Sequence, residues 1–458
     1  MRPWKRLLPL LLLAALLLTG SGCGQAEGEE PVSITIWHVY GAQTDSPLND
    51  LIDEFNATVG KAKGVRVEVT MVSNNKNIYE DVLAAANRDP GAPELPDLFV
   101  SYPKTVLNLP DEEILVDYRD YFTQEELDAF EPAFLADGTV NDRLVVLPVA
   151  KSTELLFVNK TAFDRFAAAT GARLSDLDTW DGLFRTACDY AAWTDSQTPE
   201  TAGDSAALFV HDFHFNYFQV GVESLGESFF DGEKLAFGPM FQRVWEPYAK
   251  AAISGGLWLQ GGYATEPLRT GESIVSVASS ASVLYFTGLV TYADNTSEKV
   301  ELLVRPCPVF PEGSRSVIQR GAGMCTVRST PEREKAAVTF LKWLTEPACN
   351  TRFAVSAGYM PTTREAFERC LPEAVQALTE PKYTALYDAY EKTQAAYDFY
   401  VPPQLESYQE LEASFEKNIR LCLLDAREEY LRAGGNDQAL LERLTQESLK
   451  RFQQIMDR

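Results

Sequence analysis

Between residues 34 and 100 two periodicities alternate, and this alternation constrains the fold more than any other feature of the chain. Ile34-Thr35-Ile36-Trp37 has strand character, and Asp45-Ser46-Pro47 supplies a helix cap with a first-turn proline. Leu48, Leu51, Ile52 and Phe55 then recur at helical spacing. Val65, Val67 and Val69 alternate as a second strand, and Ile78, Val82 and Leu83 begin a second helix that fades into Arg88-Asp89-Pro90-Gly91. Pro96-Asp97 opens a third strand, Leu98-Phe99-Val100. The order β-α-β-α-β predicts a parallel sheet with helices packed on its faces. Ligands of such sheets gather at the carboxyl ends of the strands. Trp37, His38 and Tyr40 lie at that end of the first strand, and Ser101 and Tyr102 at that end of the third. Two loops therefore offer rings to one edge.

The pattern resumes further on. Residues 144–149 and 155–158 are strand-like around Ala150-Lys151-Ser152-Thr153, and a helix is expected from about Thr161. Residues 274–277 form a short strand running into the small-residue turn Ala278-Ser279-Ser280-Ala281. From Glu365 onward the chain reads as almost wholly helical, ending in an amphipathic stretch through Leu440, Leu441, Leu444, Leu449 and Phe452. A chain of 458 residues is too long for one compact core, so two or three domains are expected.

The first residues stand apart. Arg2, Lys5 and Arg6 precede an apolar run, 7–18, that is too short to span a bilayer, and residues 1–22 read as a secretory signal. Thr19-Gly20-Ser21-Gly22-Cys23 resembles the site at which bacterial lipoproteins are cleaved and acylated on cysteine, with Gly20 where that pattern prefers Leu. Residues 23–31 then become a lipidated Cys23 and a polar tether, and a diacylated cysteine supplies two anchoring chains by itself.

Composition excludes several classes. A formal charge of −25 argues against a nucleic-acid partner, which needs a basic surface to release counterions. Besides Cys23 there are six cysteines, none in a C-x-x-C pair, and they read as buried thiols. His211-Asp212-Phe213-His214 places two histidines three apart, which suits a stabilising helix face better than a zinc site, so no metal is expected. There is no G-x-S-x-G elbow, and Gly321-Ala322-Gly323 lacks the remaining glycine of a dinucleotide fingerprint, so no cofactor is expected either.

Taken in order, "ITIWH", "LNDLIDEFNAT", "IYEDVLAAA", "PDLFVSY", "LPVAKSTELLFVNKTAF", "TWDGLF", "GESIVSVASSAS" and "AAVTFLKWLTEPACNTRFAVSAGYMPTTREAF" resemble the family 1 extracellular solute-binding proteins of ABC importers, especially the maltose-binding and glycerol-phosphate-binding group. The resemblance spans nearly the whole mature chain. It implies an α/β fold of the type II periplasmic-binding-protein kind, two lobes joined by three hinge crossings near residues 150–155, 317–324 and 358–362. Lobe 1 would comprise 32–150 and 324–358, and lobe 2 would comprise 151–323 and 359–458. It further implies a monomeric receptor, lipid-anchored on the extracellular face of the bacterial membrane, that captures a carbohydrate and delivers it to an ABC permease without chemistry.

A sugar offers apolar ring faces and a rim of hydroxyls, so its site needs flat aromatic surfaces with polar groups around them. Position at the expected strand ends, or at the cleft positions that the resemblance implies, nominates Trp37, His38, Tyr79, Tyr102, Trp258, Tyr285 and Tyr359, with Lys151, Ser152, Thr153, Glu154, Ser279 and Ser280 as polar candidates. The resemblance points most directly to Tyr79, Ser152, Ser279 or Ser280, Gly321 to Gly323, and Tyr359. Trp180, by contrast, suits the packing of a helix start. Glycerol-phosphate-binding relatives carry an acidic residue where this chain has Pro103, and an Arg where it reads Tyr397-Asp398-Phe399-Tyr400. Because a phosphate wants an Arg fork or a helix N-terminus, a neutral carbohydrate is favoured over glycerol phosphate. The rival readings are a lipid-anchored glycoside hydrolase, which needs only two well-placed carboxylates among 66 acidic residues, and a sugar receptor for a sensor kinase.

Overall fold

The computed structural model describes residues 30–41, 46–74, 77–198, 200–201 and 203–457. The signal segment, Cys23 and most of the tether lie outside them. Strand β1 (Val32–His38) leads to helix α1 (Pro47–Ala57), capped by the Ser46 hydroxyl, which accepts from the Asn49 N–H. The helix turns Leu48, Leu51, Ile52 and Phe55 inward, as the spacing predicted. Strand β2 (Val65–Val72), helix α2 (Ile78–Asn87), strand β3 (Leu98–Ser101), the short helix α3 (Pro103–Val106) and strand β4 (Leu147–Pro148) follow.

The chain then enters a second body. Strand β5 (Ser152–Asn159) is buried along its whole length, as suits a central strand covered on both faces. It is followed by α4 (Lys160–Thr170), α5 (Trp180–Asp195), β6 (Phe209–His211), α6 (His214–Ser224), α7 (Pro239–Ser254), β7 (Val275–Ser279), β8 (Leu302–Pro306) and β9 (Ser316–Arg320). The Thr179 hydroxyl caps α5, and Trp180 packs that helix start against Phe184 and Tyr217. Strand β10 (Gly323–Thr326) returns to the first body with α8 (Pro331–Leu344) and α9 (Pro347–Ala357). The remainder belongs to the second: α10 (Pro381–Ala396), β11 (Asp398–Tyr400), α11 (Tyr408–Arg432) and α12 (Gln438–Met456). Strand β11 interrupts the all-helical tail expected from sequence, because its edge pairs in parallel with β9.

These elements make a two-lobed α/β fold. The first sheet runs β2-β1-β3-β10-β4, with β1 parallel to both β2 and β3 and β10 antiparallel to β3. The second runs β11-β9-β5-β7-β6, with β8 also paired to β5. Separate apolar cores lie under each, one built on Phe55, Phe99, Phe340 and Phe353, the other on Phe184, Tyr217, Trp245 and Phe415.

Three strands of chain pass between the lobes side by side. Lys151 exchanges backbone hydrogen bonds with Met360, at 3.0 and 2.6 Å, and Arg320 pairs with Ser152. Asn350, fully buried, binds two crossings at once: its amide donates to the Val149 carbonyl at 2.7 Å and its oxygen accepts from the Thr362 N–H at 2.8 Å. At Gly321 the backbone has φ +102°, and a Cβ would stand 2.7 Å from the Ala150 carbonyl oxygen, so glycine alone fits the middle crossing. The six cysteines are free thiols, four of them buried.

Candidate functional site

The carboxyl end of β3 pairs with Gly323 just past the middle crossing, and Arg320, the last residue of β9, pairs with Ser152 at the first. Its Nη1 lies 3.2 Å from Glu154 Oε1 and 3.5 Å from Asp212 Oδ2, and its guanidinium stands 4.9 Å above the Phe213 ring. Glu154 comes from β5 just past the first crossing, and it also accepts from Asn216 Nδ2 at 2.7 Å. Asp212 follows β6 and accepts from the Ala264 N–H. Burial pushes the Glu154 carboxyl up to about 7, against the opposing pull of Arg320 and Asn216. Beneath it, burial and then the Arg320 charge hold His211 down to about 3, so the imidazole is neutral. Its Nδ1 accepts from the Phe213 N–H, and its Nε2 has no hydrogen-bond partner among the described residues.

Tyrosines from both lobes lie within electrostatic reach of this charge cluster. Tyr102, directly after β3, lies within electrostatic reach of Arg320, Glu412 and Tyr263, and burial pushes its hydroxyl up to about 12. Tyr359, in the third crossing, is near Tyr102, Tyr285 and Arg320, and its ring meets Tyr40 edge-on at 5.5 Å. The Tyr40 hydroxyl is buried without a hydrogen-bond partner among the described residues. Tyr263 sits near Asp212, Tyr285 and Arg320, and Tyr285 is 50% exposed. A guanidinium, two carboxylates and several phenol rings thus converge between the lobes. This is the chemistry a polyhydroxylated, ring-shaped solute requires.

The other expected residues fall elsewhere. His38 does not face the cleft: it is fully buried, its Nε2 pairs with Asn49 Oδ1 at 2.8 Å, and its Nδ1 accepts from the Tyr40 N–H. Trp37, 3% exposed, is in the first-lobe core and borders, with Thr35, Met71, Asp97 and Arg333, a depression of about 550 Å3 made of first-lobe residues alone. Tyr79 is half-buried on α2, and the charged neighbour it feels is Glu80, outside the Arg320 cluster. Ser279 caps the turn Ser280–Tyr285, accepting from the Ala281 N–H, and Ser280 is fully buried on the Tyr390 hydroxyl. Both serines are occupied by local structure.

Ser152 is buried opposite Arg320, and Trp258 is partly buried beside β6, where its N–H donates to the Phe209 carbonyl. Gly323 lies inside the first sheet, where a Cβ would sit 2.5 Å from the Leu147 carbonyl oxygen; it serves backbone packing. Nor do His211 and His214 share a helix face. One ends a strand and the other starts a helix, where the His214 ring is taken up by Tyr248 and by Arg420 at 3.2 Å. Sequence reasoning missed Arg320, Asp212, Phe213 and Tyr263. Arg320 immediately precedes Gly321-Ala322-Gly323, inside an expected crossing, and that adjacency was the available signal.

Comparison with known proteins agrees with this architecture. The model of the bacterial extracellular solute-binding protein family matches residues 50–383, and the chain belongs to that family. In structure it is similar to the cyclic α-maltosyl-1,6-maltose binding protein from Arthrobacter globiformis, at a TM-score of 0.62 and 20% identity over 93% of this chain and 100% of that one. It is also similar to UgpB from Mycobacterium tuberculosis in complex with glycerophosphocholine, at 0.65 and 18% over 94% and 99%. The ABC substrate-binding protein Lmo0181 from Listeria monocytogenes, in complex with cycloalternan, gives 0.66 and 12% over 93% and 99%. At these identities the likeness establishes the fold. No curated protein matches the chain in sequence. No helix among the described residues is long and apolar enough to cross a membrane.

Proposed function

We propose that the protein captures a neutral carbohydrate between its lobes and delivers it unaltered to an ABC permease. The observation that carries this reading is the state of Arg320: it is already held by Glu154 and Asp212, and tyrosines of both lobes lie within its electrostatic reach. Lys104 is likewise held by Glu412 at 2.7 Å, and Lys151 by Asp137. An incoming phosphate would have to displace a carboxylate from its cation, whereas sugar hydroxyls can bond to guanidinium and carboxylate together. Several of the similar structures hold sugars, among them maltose-bound T. maritima MalE3.

In this reading residues 1–22 are a signal, Cys23 carries lipid on the extracellular face of the membrane, and residues 24–31 are the tether. Lobe 1 comprises 32–150 and 324–358, lobe 2 comprises 151–323 and 359–458, and the protein acts as a monomer. Tyr102, Tyr285, Tyr359 and Glu154 from the sequence-derived set, joined by Tyr263, Asp212 and Arg320, form the site. A solute that touches both lobes favours the closed arrangement by its differential affinity for it.

A thermal-shift panel of neutral mono- and oligosaccharides, polyols and glycerol phosphates tests this, with product analysis of each hit. A ligand that binds the native state raises its midpoint by mass action. A neutral sugar that shifts the midpoint and is recovered intact is the expected result. A cleaved sugar overturns it in favour of a hydrolase, and a response confined to glycerol phosphates overturns the choice of ligand.

A further inference from the structure

His211 ends β6 with one ring nitrogen engaged and the other idle. Its Nδ1 accepts from the Phe213 N–H at 3.2 Å, which places the proton of the neutral ring on Nε2. That Nε2–H has no hydrogen-bond partner among the described residues, and the rings of Trp180, Phe209 and Tyr217 pack around it. Glu154 Oε2 stands 3.8 Å from it, and the two side chains are 1% and 4% exposed. The gap is too wide for a direct hydrogen bond and too narrow for a bridging water. A buried donor left in this state is costly, and a small turn of the carboxylate would satisfy it.

The surroundings of Glu154 permit that turn. Its Oε1 has a fixed anchor, because it accepts from Asn216 Nδ2 at 2.7 Å. Asn216 is held in turn by Gln219, whose Nε2 donates to Asn216 Oδ1 at 3.1 Å and to the Tyr408 hydroxyl at 2.9 Å. All three of these side chains belong to buried residues. The bond to Arg320 is looser. Arg320 Nη1 stands 3.2 Å from Glu154 and 3.5 Å from Asp212, whereas a charge-assisted bond of full strength closes to about 2.7–2.9 Å. A guanidinium divided in this way can turn a donor to a solute hydroxyl. Glu154 is then a buried carboxylate short of a partner, a state strongly disfavoured unless another donor steps in.

We propose that His211 is that donor: when a solute engages Arg320, the Glu154 carboxylate turns about its Asn216 bond and closes on His211 Nε2–H. His211 is thus a positioning residue, which strengthens solute binding without touching the solute. This deepens the carbohydrate reading and rests on it.

The probe is maltotriose, or the neutral sugar of the thermal-shift panel that raises the midpoint further. With only three histidines in the chain, His211 Nε2–H can be assigned in proton–nitrogen spectra of the wild-type protein. Saturating sugar is expected to move that proton downfield, as a new hydrogen bond to a carboxylate does. Calorimetry then compares two variants. Gln sets an amide N–H where Nε2–H stood and loses the acceptor for Phe213, whereas Asn keeps an acceptor at the Nδ1 position and loses the donor. His211→Gln is expected to bind the sugar within about threefold of the wild type, and His211→Asn about tenfold more weakly. A role confined to holding Phe213 gives the reverse order. That reverse order, equal affinity in all three proteins, or equal loss in both variants overturns the inference while leaving sugar binding intact. An Nε2–H signal that saturating sugar leaves in place also overturns it, and decides the matter if either variant fails to fold. Absence of any sugar response overturns the carbohydrate reading itself.

Discussion

Replacing Arg320 by Met removes a charge that two buried carboxylates share. The Glu154 and Asp212 side chains are 4% and 7% exposed, so neither recovers bulk hydration when the guanidinium goes. Removing one member of such a buried pair typically costs 3–5 kcal/mol, and we expect about 4 kcal/mol at pH 9. The cost depends on pH in a definite direction. Glu154 titrates at about 7 with Arg320 opposing its protonation, so in the variant it titrates higher still. Between those two values the variant binds a proton that the wild type does not. The loss therefore shrinks as pH falls toward 7 and stays level below it, where Glu154 is protonated in both proteins and Asp212 accounts for the remainder. Urea unfolding followed by tryptophan fluorescence at pH 6, 7.5 and 9 measures this directly. Adding Glu154→Gln to Arg320→Met is expected to restore about 1–2 kcal/mol at pH 9, since the amide has no charge left to strand. A loss below about 0.5 kcal/mol at every pH, or a pH-independent loss that adds simply to that of Glu154→Gln, would refute the reasoning.

Other perturbations follow from the same geometry. In the wild type the Glu154 carboxyl is raised from an ordinary 4.5 to about 7, so folding binds its proton more tightly than the unfolded chain does. Its contribution is complete below about 4.5 and lost as pH rises through 7, about 3 kcal/mol in all. Glu154→Gln should lack that slope, which the difference between wild-type and variant unfolding free energies from pH 5 to 8 will show. Gly321→Ala forces a Cβ against the Ala150 carbonyl in a left-handed backbone and should cost about 1–3 kcal/mol, read as a lowered urea midpoint together with weaker solute binding. Asn350→Ala strands the Val149 carbonyl and the Thr362 N–H and should cost a similar 1–3 kcal/mol, with faster amide exchange at residues 150–152 and 360–362 than elsewhere in either lobe.

Much of the fold was legible because its signals are local. The Ser46-Pro47 start of α1, the inward face through Phe55, the parallel pairing of β1 with β2 and β3, and Trp180 at the head of α5 all follow from spacing and capping. The crossings were expected from the family resemblance, and at Gly321 the backbone has a conformation and a clearance that only glycine meets. The site was legible only in part. Tyr102, Tyr285 and Tyr359, nominated from strand ends and motif position, are the expected rings that have electrostatic neighbours in or beside the Arg320 cluster. His38 and Trp37 were nominated by the same rule, yet both still belong to β1, whose sheet is covered on both faces, so both side chains are buried within the first lobe. The short strand β11 was hidden because Asp398-Phe399-Tyr400 forms it only against β9, eighty residues upstream. Arg320, Asp212 and Glu154 converge from three separate strands of the second sheet, and their meeting is set by register between β5, β7, β6 and β9, which no local pattern encodes.

The most direct measurement is a crystal structure of the protein with the neutral sugar that shifts its midpoint. The account predicts the sugar between the lobes, with rings of Tyr102 and Tyr359 on its faces and its hydroxyls on Arg320 and Asp212. Sugar held by one lobe alone, as in the depression beside Trp37 and Arg333, would contradict it.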